Sequence, residues 1–127
     1  MKKVLIAEDD IALRKVLKKA ISKKYQVFEA VNGTSVLEIV RGVKPDLILL
    51  DLMMPEKSGF DVLAALKIED NIKIPIIVLS NLDEDKDRMR AKNLTADYYL
   101  VKSNVSMEEI VLTIDRFIMP RTQDATS

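Results

Sequence analysis

Short apolar runs alternate along this chain with longer amphipathic stretches, and this alternation restricts the fold more than any other feature of the sequence. Three nearly continuous apolar runs have the length of a strand, at residues 4–7, 47–50 and 74–79. Strands buried on both faces have this composition, which is typical of a parallel sheet covered by helices. Residues 25–30 and 97–101 are more mixed in polarity, as expected of strands nearer the edges of the sheet.

Between these strands, apolar residues recur at helical spacing and predict stripes that face the core. The stripes comprise Ile11, Val16, Leu17, Ala20 and Ile21; Val36, Leu37 and Val40; Phe60, Leu63, Ala64 and Leu66; and Ile110, Val111, Ile114, Phe117 and Ile118. Ser106 and Glu109 predict a capping box at the start of the last helix, and Pro120 predicts its end. Residues 83–93 are charged almost throughout, so the fourth helix should be the least anchored.

The order of these elements is five strand–helix units, which predicts an α/β fold with a parallel sheet and right-handed crossovers. A chain of 127 residues is long enough for one domain and too short for two. We place the domain at residues 1–120 and expect the polar stretch 121–127 to be disordered. The first apolar run ends before Glu8, too early for a signal peptide or a membrane span, so we expect a cytoplasmic protein without membrane contact.

The composition excludes several kinds of chemistry. The chain has no Cys and no His, so thiolate and imidazole metal sites, cysteine nucleophiles and histidine bases are excluded. Lys plus Arg and Asp plus Glu each number 20, so no net charge favours direct binding of nucleic acid or of an anionic membrane. Any reaction must therefore use carboxylates, hydroxyls, amines or the backbone.

Acidic residues follow two of the predicted strands at the point where each strand ends. Glu8, Asp9 and Asp10 come directly after the first strand, and Asp51 comes directly after the third. In a doubly wound sheet of order 2-1-3-4-5, these two strands are neighbours at the switch point where ligands bind. We therefore expect at least three carboxylates to converge there. The alternative is that Asp9 or Asp10 only caps the first helix and Asp51 only ends a strand.

Such a convergence requires a positive counter-charge. Two carboxylates about 4 Å apart repel by roughly 1 to 4 kcal/mol at effective dielectric constants between about 80 and 20. Mg²⁺ would remove this repulsion, because it binds carboxylates, keeps waters and shares its other positions with phosphate oxygens. Ser80 and Lys102 end the fourth and fifth strands on the same rim, although each taken alone could be an ordinary turn or surface residue. A hydroxyl and an ammonium facing a carboxylate–metal centre are suited to hold a phosphoryl group.

Together these residues resemble a known family. Its landmarks occur in order as Glu8-Asp9, Asp51-Leu52-Met53-Met54-Pro55 with Gly59, Ser80, and Tyr99-Leu100-Val101-Lys102. The set resembles the receiver domain of bacterial two-component response regulators over residues 3–119, which is nearly the whole chain. This resemblance implies a flavodoxin-like, doubly wound (βα)5 fold with a five-stranded parallel sheet of order 2-1-3-4-5.

The resemblance also implies a chemical role for each acidic landmark. Asp51 would be the phosphoacceptor and would form an acyl phosphate. Glu8, Asp9, Asp51 and the backbone carbonyl of Met53 would bind Mg²⁺, with Mn²⁺ as a substitute. The donor would be a phosphohistidine on a sensor histidine kinase or a phosphotransfer protein, in agreement with the absence of His here. Phosphotransfer and dephosphorylation would be self-catalysed, with no other enzyme activity.

The remaining landmarks would form a switch. Lys102 would pair with the phosphoryl group, Ser80 would move to hydrogen-bond it, and Tyr99 would turn inward into the space left behind. In the family, the surface of the fourth helix, fifth strand and fifth helix serves dimers and partners, so a homodimer and an unidentified output partner are implied. Charged residues on this surface are Arg88, Arg90, Lys92 and Asp97. The chain is then either a stand-alone regulator or part of a longer protein.

The sequence departs from the family pattern near the site. Ser103 follows Lys102 where a proline is usual, which puts the path of that loop in question, since a non-proline cis bond would cost about 2.5 to 4 kcal/mol. Asn81 stands where a very small residue is common, so access to the site should be narrower. Thr95 stands where the family often has Gly.

Two apolar residues bear on the lifetime of the phosphorylated form. Met53 lies two residues beyond the acceptor, and Leu82 lies two residues beyond Ser80. Hydrolysis needs a water placed in line with the leaving oxygen, and neither side chain can orient one. We therefore predict slow self-dephosphorylation; the alternative is that both residues simply pack.

Three other functions fit parts of the pattern. A phosphatase that forms a phosphoaspartate typically carries a second Asp two residues after the nucleophile, where this chain has Met53. A flavin- or nucleotide-binding domain would need a Gly- or hydroxyl-rich loop after the first strand, where the acidic run stands instead. A receiver-like interaction module that does not take phosphate is the third alternative, and the intact acidic set argues against it.

Overall fold

A parallel five-stranded sheet forms the centre of the molecule. This computed structural model describes residues 1–56, 58–81 and 85–118. The strands are β1 (Lys3–Ala7), β2 (Gln26–Ala30), β3 (Leu47–Leu50), β4 (Ile76–Ser80) and β5 (Tyr98–Val101), in the spatial order β2-β1-β3-β4-β5. Every neighbouring pair in this order is parallel. The predicted α/β class, the strand order and the placement of the two mixed-polarity strands at the sheet edges are confirmed.

Along the described part of the chain, five helices alternate with the strands. They are α1 (Ile11–Ile21), α2 (Gly33–Val43), α3 (Gly59–Leu63), α4 (Asp85–Asn93) and α5 (Met107–Ile118). α3 continues into a π-helical stretch at Ala64–Glu69, and a 3₁₀ turn at Lys102–Asn104 follows β5. Within the described ranges, no helix is long and apolar enough to cross a membrane.

The predicted capping box starts α5. The Glu109 N–H donates to Ser106 Oγ at 3.1 Å, and the Ser106 N–H donates to Glu109 Oε1 at 3.2 Å. Each hydrogen bond satisfies a backbone donor at the helix start that has no partner within the helix. Pro120 and the tail at 121–127 were predicted to end this helix and to be disordered; both lie outside the described residues.

The sheet is buried on both faces because successive strand residues point to opposite sides. On β1, Leu5 and Ala7 join the core formed with α2, α3 and α4, whereas Val4 and Ile6 join the core formed with α1 and α5. The residues of β3 and β4 alternate in the same way. The helices therefore cover both faces and leave the carboxyl ends of the strands as the accessible edge.

Some residues of the predicted stripes lie outside the core. Ile11 is 61% exposed and Val16 is 53% exposed. α1 contacts the sheet through Leu17 and Ile21, which are buried, so its buried stripe is narrower than predicted. Val16 stands one position from Leu17, about 100° around the helix axis, and so points away from this stripe. Phe117 of α5 is also exposed at the surface.

α4 is weakly anchored, as its charged sequence predicts: among its described residues, Ala91 is the buried one. The helix ends in a Schellman motif, in which the Ala96 N–H donates to the Ala91 carbonyl at 3.0 Å and the Thr95 N–H donates to the Lys92 carbonyl at 2.8 Å. Thr95 has a φ of 66°. This left-handed conformation is strained for a β-branched residue, which explains why Gly is favoured at the position.

Replacing Thr95 with Gly should stabilise the protein by about 1 kcal/mol. The left-handed conformation costs an L-residue roughly 1 to 2 kcal/mol, and the greater freedom of Gly in the unfolded chain offsets about 0.4 to 1 kcal/mol of the gain. Thr95 is exposed, so few contacts are lost. Urea denaturation measures the change, with Thr34→Gly inside α2 as a control that should be destabilised. A less stable Thr95→Gly protein would contradict the assignment of strain.

Candidate functional site

The carboxyl ends of β1 and β3 bring acidic side chains from two distant stretches together. Ala7 is in register with Leu50, and the Asp51 N–H donates to the Ala7 carbonyl at 3.0 Å. One carboxylate oxygen from each of Glu8, Asp9 and Asp51 lies within 4.8 Å of the other two. The expected convergence of three carboxylates is therefore present, and these three residues are called the acidic cluster below.

Asp10 lies beside the acidic cluster but has a different role. Its side chain caps α1 by accepting a hydrogen bond from the Leu13 N–H at 3.1 Å. The Asp10 N–H in turn donates to Glu8 Oε2 at 3.1 Å. The capping alternative thus holds for Asp10, whereas Asp9 is exposed at the mouth of the cluster.

Lys102 lies between two carboxylates of the cluster. Its Nζ is 2.7 Å from Glu8 Oε1 and 3.0 Å from Asp51 Oδ2. The side chains of Glu8 and Asp51 are 3% and 5% exposed, and that of Lys102 is 16% exposed. Charges this deeply buried require a partner, because taking them out of water is costly. The site thus brings three carboxyl groups around one ammonium, an excess of acidic groups whose charge a divalent cation would neutralise.

Burial and neighbouring charges shift two ionisations in the site. Burial raises the pKa of Glu8 above its usual 4.5, and the charge of Asp51 adds to the rise; hydrogen bonds from Lys102 and the Asp10 N–H offset it only in part. Burial lowers the pKa of Lys102, but its hydrogen bonds to Glu8 and Asp51 outweigh this effect and raise the pKa above 10.5. Lys102 therefore keeps its charge at neutral pH, whereas Glu8 binds a proton more readily than an ordinary glutamate does.

Acidification from neutral pH towards 4.5, without divalent cations, should stabilise the native protein relative to a Glu8→Gln variant. Because the pKa of Glu8 is higher in the folded state than in the unfolded chain, the folded state binds the proton more tightly. The free energy of unfolding then falls as the pH rises through the folded pKa. Denaturant titrations at several pH values measure this difference. Identical pH dependence in the two proteins would contradict a raised pKa.

The loop after β3 holds Asp51 from its other side. The Met53 N–H donates to Asp51 Oδ1 at 3.1 Å, and the Gly59 N–H donates to the Leu52 carbonyl at 3.0 Å. A Cβ at Gly59 would lie only 2.5 Å from the Asp51 carbonyl oxygen and 2.4 Å from Leu52 Cα. Any larger residue at position 59 would therefore displace the loop that carries Asp51.

The two strands beyond β3 carry the other predicted site residues. Ser80 is the last residue of β4, is fully buried, and is in register with Val101, the residue before Lys102. Tyr99 is half-buried against the core that contains α2, α3 and α4, and the guanidinium carbon of Arg88 lies 5.9 Å from its ring centroid. The edge thus presents carboxylates, a hydroxyl and an ammonium at the ends of four neighbouring strands.

Comparison with known protein families identifies the family that has this arrangement of residues. The family model described as the response regulator receiver domain matches residues 4–115. The chain belongs to this family. It is the receiver domain of a response regulator, the kind of domain that takes part in two-component signalling.

Curated relatives of this receiver domain include longer regulatory proteins. A probable transcriptional regulator of Cyanophora paradoxa is 36% identical over 126 residues, which cover 98% of this chain and 51% of the relative. The transcriptional regulatory protein SrrA of Staphylococcus aureus is 34% identical over 124 residues, which cover 97% of this chain and 50% of the relative. The chain therefore spans about half the length of these relatives.

Solved receiver structures share the fold. The receiver domain of a Francisella response regulator superimposes with a TM-score of 0.86 at 26% identity, over 100% of both chains. The phosphorylated cyanobacterial phytochrome response regulator RcpA gives 0.81 at 30% identity, over 93% of this chain and 94% of that one. The Mn²⁺-bound form of the response regulator Rcp1 gives 0.81 at 26% identity, over 96% and 98%.

The acidic cluster of this receiver domain fits a hard divalent cation. All its side-chain ligands are carboxylate oxygens, the donors that Mg²⁺ and Mn²⁺ prefer, and they are already within the reach of one ion. Asp9 is exposed, so the cluster is open to solvent on that side. Met53, whose backbone carbonyl was predicted as a further ligand, lies on the same loop as Asp51 and donates its N–H to that carboxylate.

The positions that distinguish this chain from the family pattern lie around the rim. Met53 is 59% exposed, so its side chain is not buried in the core. Asn81 is also exposed, and Leu82 lies outside the described residues. The peptide bond between Lys102 and Ser103 is trans, and both residues belong to the 3₁₀ turn after β5.

The surface of α4, β5 and α5 was predicted to serve a partner. Its exposed apolar residues include Tyr98 and Phe117, whose ring centroids are 6.1 Å apart. Charged residues of this surface already have contacts within the chain. Asp97 pairs with Lys67 at 2.9 Å, and the guanidinium carbon of Arg90 lies 4.1 Å from the ring centroid of Phe60.

One contact at the acidic cluster was missed by the sequence analysis. Arg14 Nη1 donates to the Glu8 carbonyl at 3.0 Å, and Arg14 Nε donates to Glu29 Oε1 at 3.2 Å. Long side chains on a helix point back towards its N-terminus. A basic residue four positions after the N-cap Asp10 was therefore a usable signal for a contact with the preceding loop.

Proposed function

We propose that this receiver domain accepts a phosphoryl group on Asp51 from a phosphohistidine of a separate kinase or phosphotransfer protein, in the presence of Mg²⁺ or Mn²⁺. The observation that supports the proposal most is the position of Asp51, buried between Lys102 and two further carboxylates that lie within 4.8 Å. A purely structural aspartate would not need this excess of negative charge around it.

Each residue of the site has a separate role in the transfer of the phosphoryl group. A carboxylate oxygen of Asp51 attacks phosphorus as the P–N bond to the donor imidazole breaks, so the nitrogen leaves with the bonding pair and an acyl phosphate forms. A bound divalent cation supplies charge neutralisation for the phosphoryl oxygens. Lys102, 3.0 Å from Asp51 Oδ2, donates a charge-assisted hydrogen bond to the incoming group. Glu8 and Asp9, together with Asp51, would hold the cation.

Ser80 and Tyr99 form the switch in this proposal. Ser80 stands buried at the end of β4, on the same edge of the sheet as Asp51, and its hydroxyl moves to donate to the phosphoryl group. Tyr99 is half-buried on the neighbouring strand and turns further inward when Ser80 moves. The inward turn of Tyr99 alters the surface of α4, β5 and α5. The exposed Tyr98 on this surface supports docking of a second copy or of an output partner.

We propose no separate enzyme activity for this chain. A phosphatase that uses a phosphoaspartate needs a second acid near the nucleophile to protonate the leaving group. Position 53 carries an exposed Met instead. The chain therefore acts as a phosphoacceptor that catalyses only its own phosphorylation and dephosphorylation.

Intact-mass spectrometry tests the proposal. The protein is incubated with phosphoramidate, a small donor with the same P–N bond as phosphohistidine, with Mg²⁺ or with a chelator. The expected result is a gain of one phosphoryl group with Mg²⁺ and none with the chelator. Incorporation that does not depend on the cation would contradict the proposed site, and turnover of phosphate esters would favour a phosphatase.

The phosphorylated form should decay more slowly in the native protein than in a variant that carries Met53→Asn and Leu82→Glu. Polar groups at these positions can orient a water in line with the leaving oxygen, and the native side chains cannot. Decay is followed by intact mass after the donor is removed. Equal or faster decay in the native protein would count against this assignment.

A further inference from the structure

We propose that Arg14 is a positioning residue for the acidic cluster, which holds the peptide between Glu8 and Asp9 in the geometry that binds a divalent cation. The inference rests on the proposed function, because it concerns the same cation. It extends that function to a side chain on α1 that is not a ligand itself.

The guanidinium of Arg14 joins the acidic loop to a neighbouring strand. Its Nη1 donates to the Glu8 carbonyl at 3.0 Å, and its Nε donates to Glu29 Oε1 at 3.2 Å. Glu29 lies on β2 in register with Ile6 of β1. The Arg14 side chain is only 17% exposed, so water competes little for these contacts. This side chain therefore links the Glu8 carbonyl to a residue of the adjacent strand.

The carbonyl that Arg14 contacts belongs to the peptide between two residues of the cluster. Glu8 has other restraints: its N–H donates to the Ala30 carbonyl at 3.0 Å, and its carboxylate is held by Lys102 and by the Asp10 N–H. In the described part of the chain, the Asp9 carboxylate has no comparable hydrogen bond. Its position therefore depends on the orientation of the backbone that Arg14 fixes.

The two possible roles of Arg14, as a nearby charge and as a restraint on the loop, predict opposite changes in cation affinity when its side chain is replaced. If the guanidinium influenced the cation only through its charge, its loss would strengthen cation binding, because one positive charge near the site would disappear. If it fixes the loop, its loss would weaken binding, as substitution of residues that orient metal ligands usually does. The sign of the change therefore separates the two explanations.

Binding of Mn²⁺ alone, followed by electron paramagnetic resonance of the free ion, tests the inference. Arg14→Met removes the charge and the contacts, whereas Arg14→Lys keeps the charge but loses the planar fork that reaches two acceptors. Both variants should bind Mn²⁺ about tenfold more weakly than the wild type. Lys18→Met is the matched control: Lys18 also pairs with Glu29, at 3.1 Å, but is 54% exposed. It should bind Mn²⁺ as tightly as the wild type or slightly more tightly.

Thermal unfolding without cations shows whether each variant is folded. If Arg14→Met does not fold, the Mn²⁺ affinity of the more conservative Arg14→Lys variant tests the inference. Folded Arg14 variants that bind Mn²⁺ as tightly as the wild type, or more tightly, would overturn the inference. In that case the proposed function still stands if the wild type binds Mn²⁺ and gains a phosphoryl group. A wild type that binds no Mn²⁺ would overturn both.

Discussion

Replacement of Asp51 with Asn should abolish the incorporation of a phosphoryl group from phosphoramidate. The amide keeps the size of the side chain but has no anionic oxygen to attack phosphorus, so the P–O bond cannot form. The variant should remain folded, because the side-chain oxygen of Asn can still accept the hydrogen bond that the Met53 N–H donates to Asp51 Oδ1 at 3.1 Å in the wild type. Intact mass after incubation with Mg²⁺ and the donor measures the loss.

Asp10→Asn is the matched control for this substitution. It also removes one carboxylate from the loops at the carboxyl edge of the sheet, but Asp10 caps α1 through the Leu13 N–H and is not part of the acidic cluster. Asn is as good an N-cap as Asp. The control should therefore gain a phosphoryl group as the wild type does. Incorporation into Asp51→Asn would mean that another side chain is the acceptor.

Replacement of Lys102 with Met should destabilise the cation-free protein by about 3 kcal/mol at neutral pH. The substitution leaves Glu8 and Asp51 buried side by side without the ammonium that lies 2.7 Å and 3.0 Å from them. Mg²⁺ should restore part of the stability, because it supplies the missing positive charge. Denaturant titrations with and without Mg²⁺ measure both effects.

Lys18→Met serves as the control for the loss of a lysine from an ion pair. Lys18 is 54% exposed and pairs with Glu29 at the surface, so its removal should cost about 0 to 1 kcal/mol. Acidification should reduce the loss in Lys102→Met, because the raised pKa of Glu8 lets that carboxyl take up a proton. A Lys102→Met protein as stable as the wild type would show that the cluster does not need this counter-charge.

The sheet could be predicted from sequence because its inner strands are buried on both faces and therefore consist mostly of apolar residues. The prediction for the fourth strand began too early, at Ile74, because Pro75 and its neighbours continue the apolar run without joining the strand, which begins at Ile76. Periodicity also overestimated the buried faces of the helices. Ile11 and Val16 are apolar and close to the stripe of α1 but remain exposed, and only the packing against the sheet decides this.

The acidic cluster could be predicted because carboxyl ends of neighbouring parallel strands meet at one edge, whatever the loops do in detail. The residue pattern by itself did not distinguish the role of Asp10, which caps α1, from that of Asp9, which joins the cluster; only the family resemblance assigned Asp9 to the cation. It also gave no distance for Lys102, whose contact with both Glu8 and Asp51 depends on the turn after β5. Such contacts between loops are set by tertiary packing and not by local pattern.

Chemical trapping of the phosphorylated residue tests the central claim most directly. Borohydride reduces an acyl phosphate at its carbonyl carbon and releases phosphate, so a phosphorylated aspartate becomes homoserine. After treatment with phosphoramidate and Mg²⁺, peptide mass spectrometry should find homoserine at position 51 and unchanged carboxylates at Glu8, Asp9 and Asp10. Homoserine at another position, or a phosphorylated protein that yields none, would contradict the assignment of Asp51 as the phosphoacceptor.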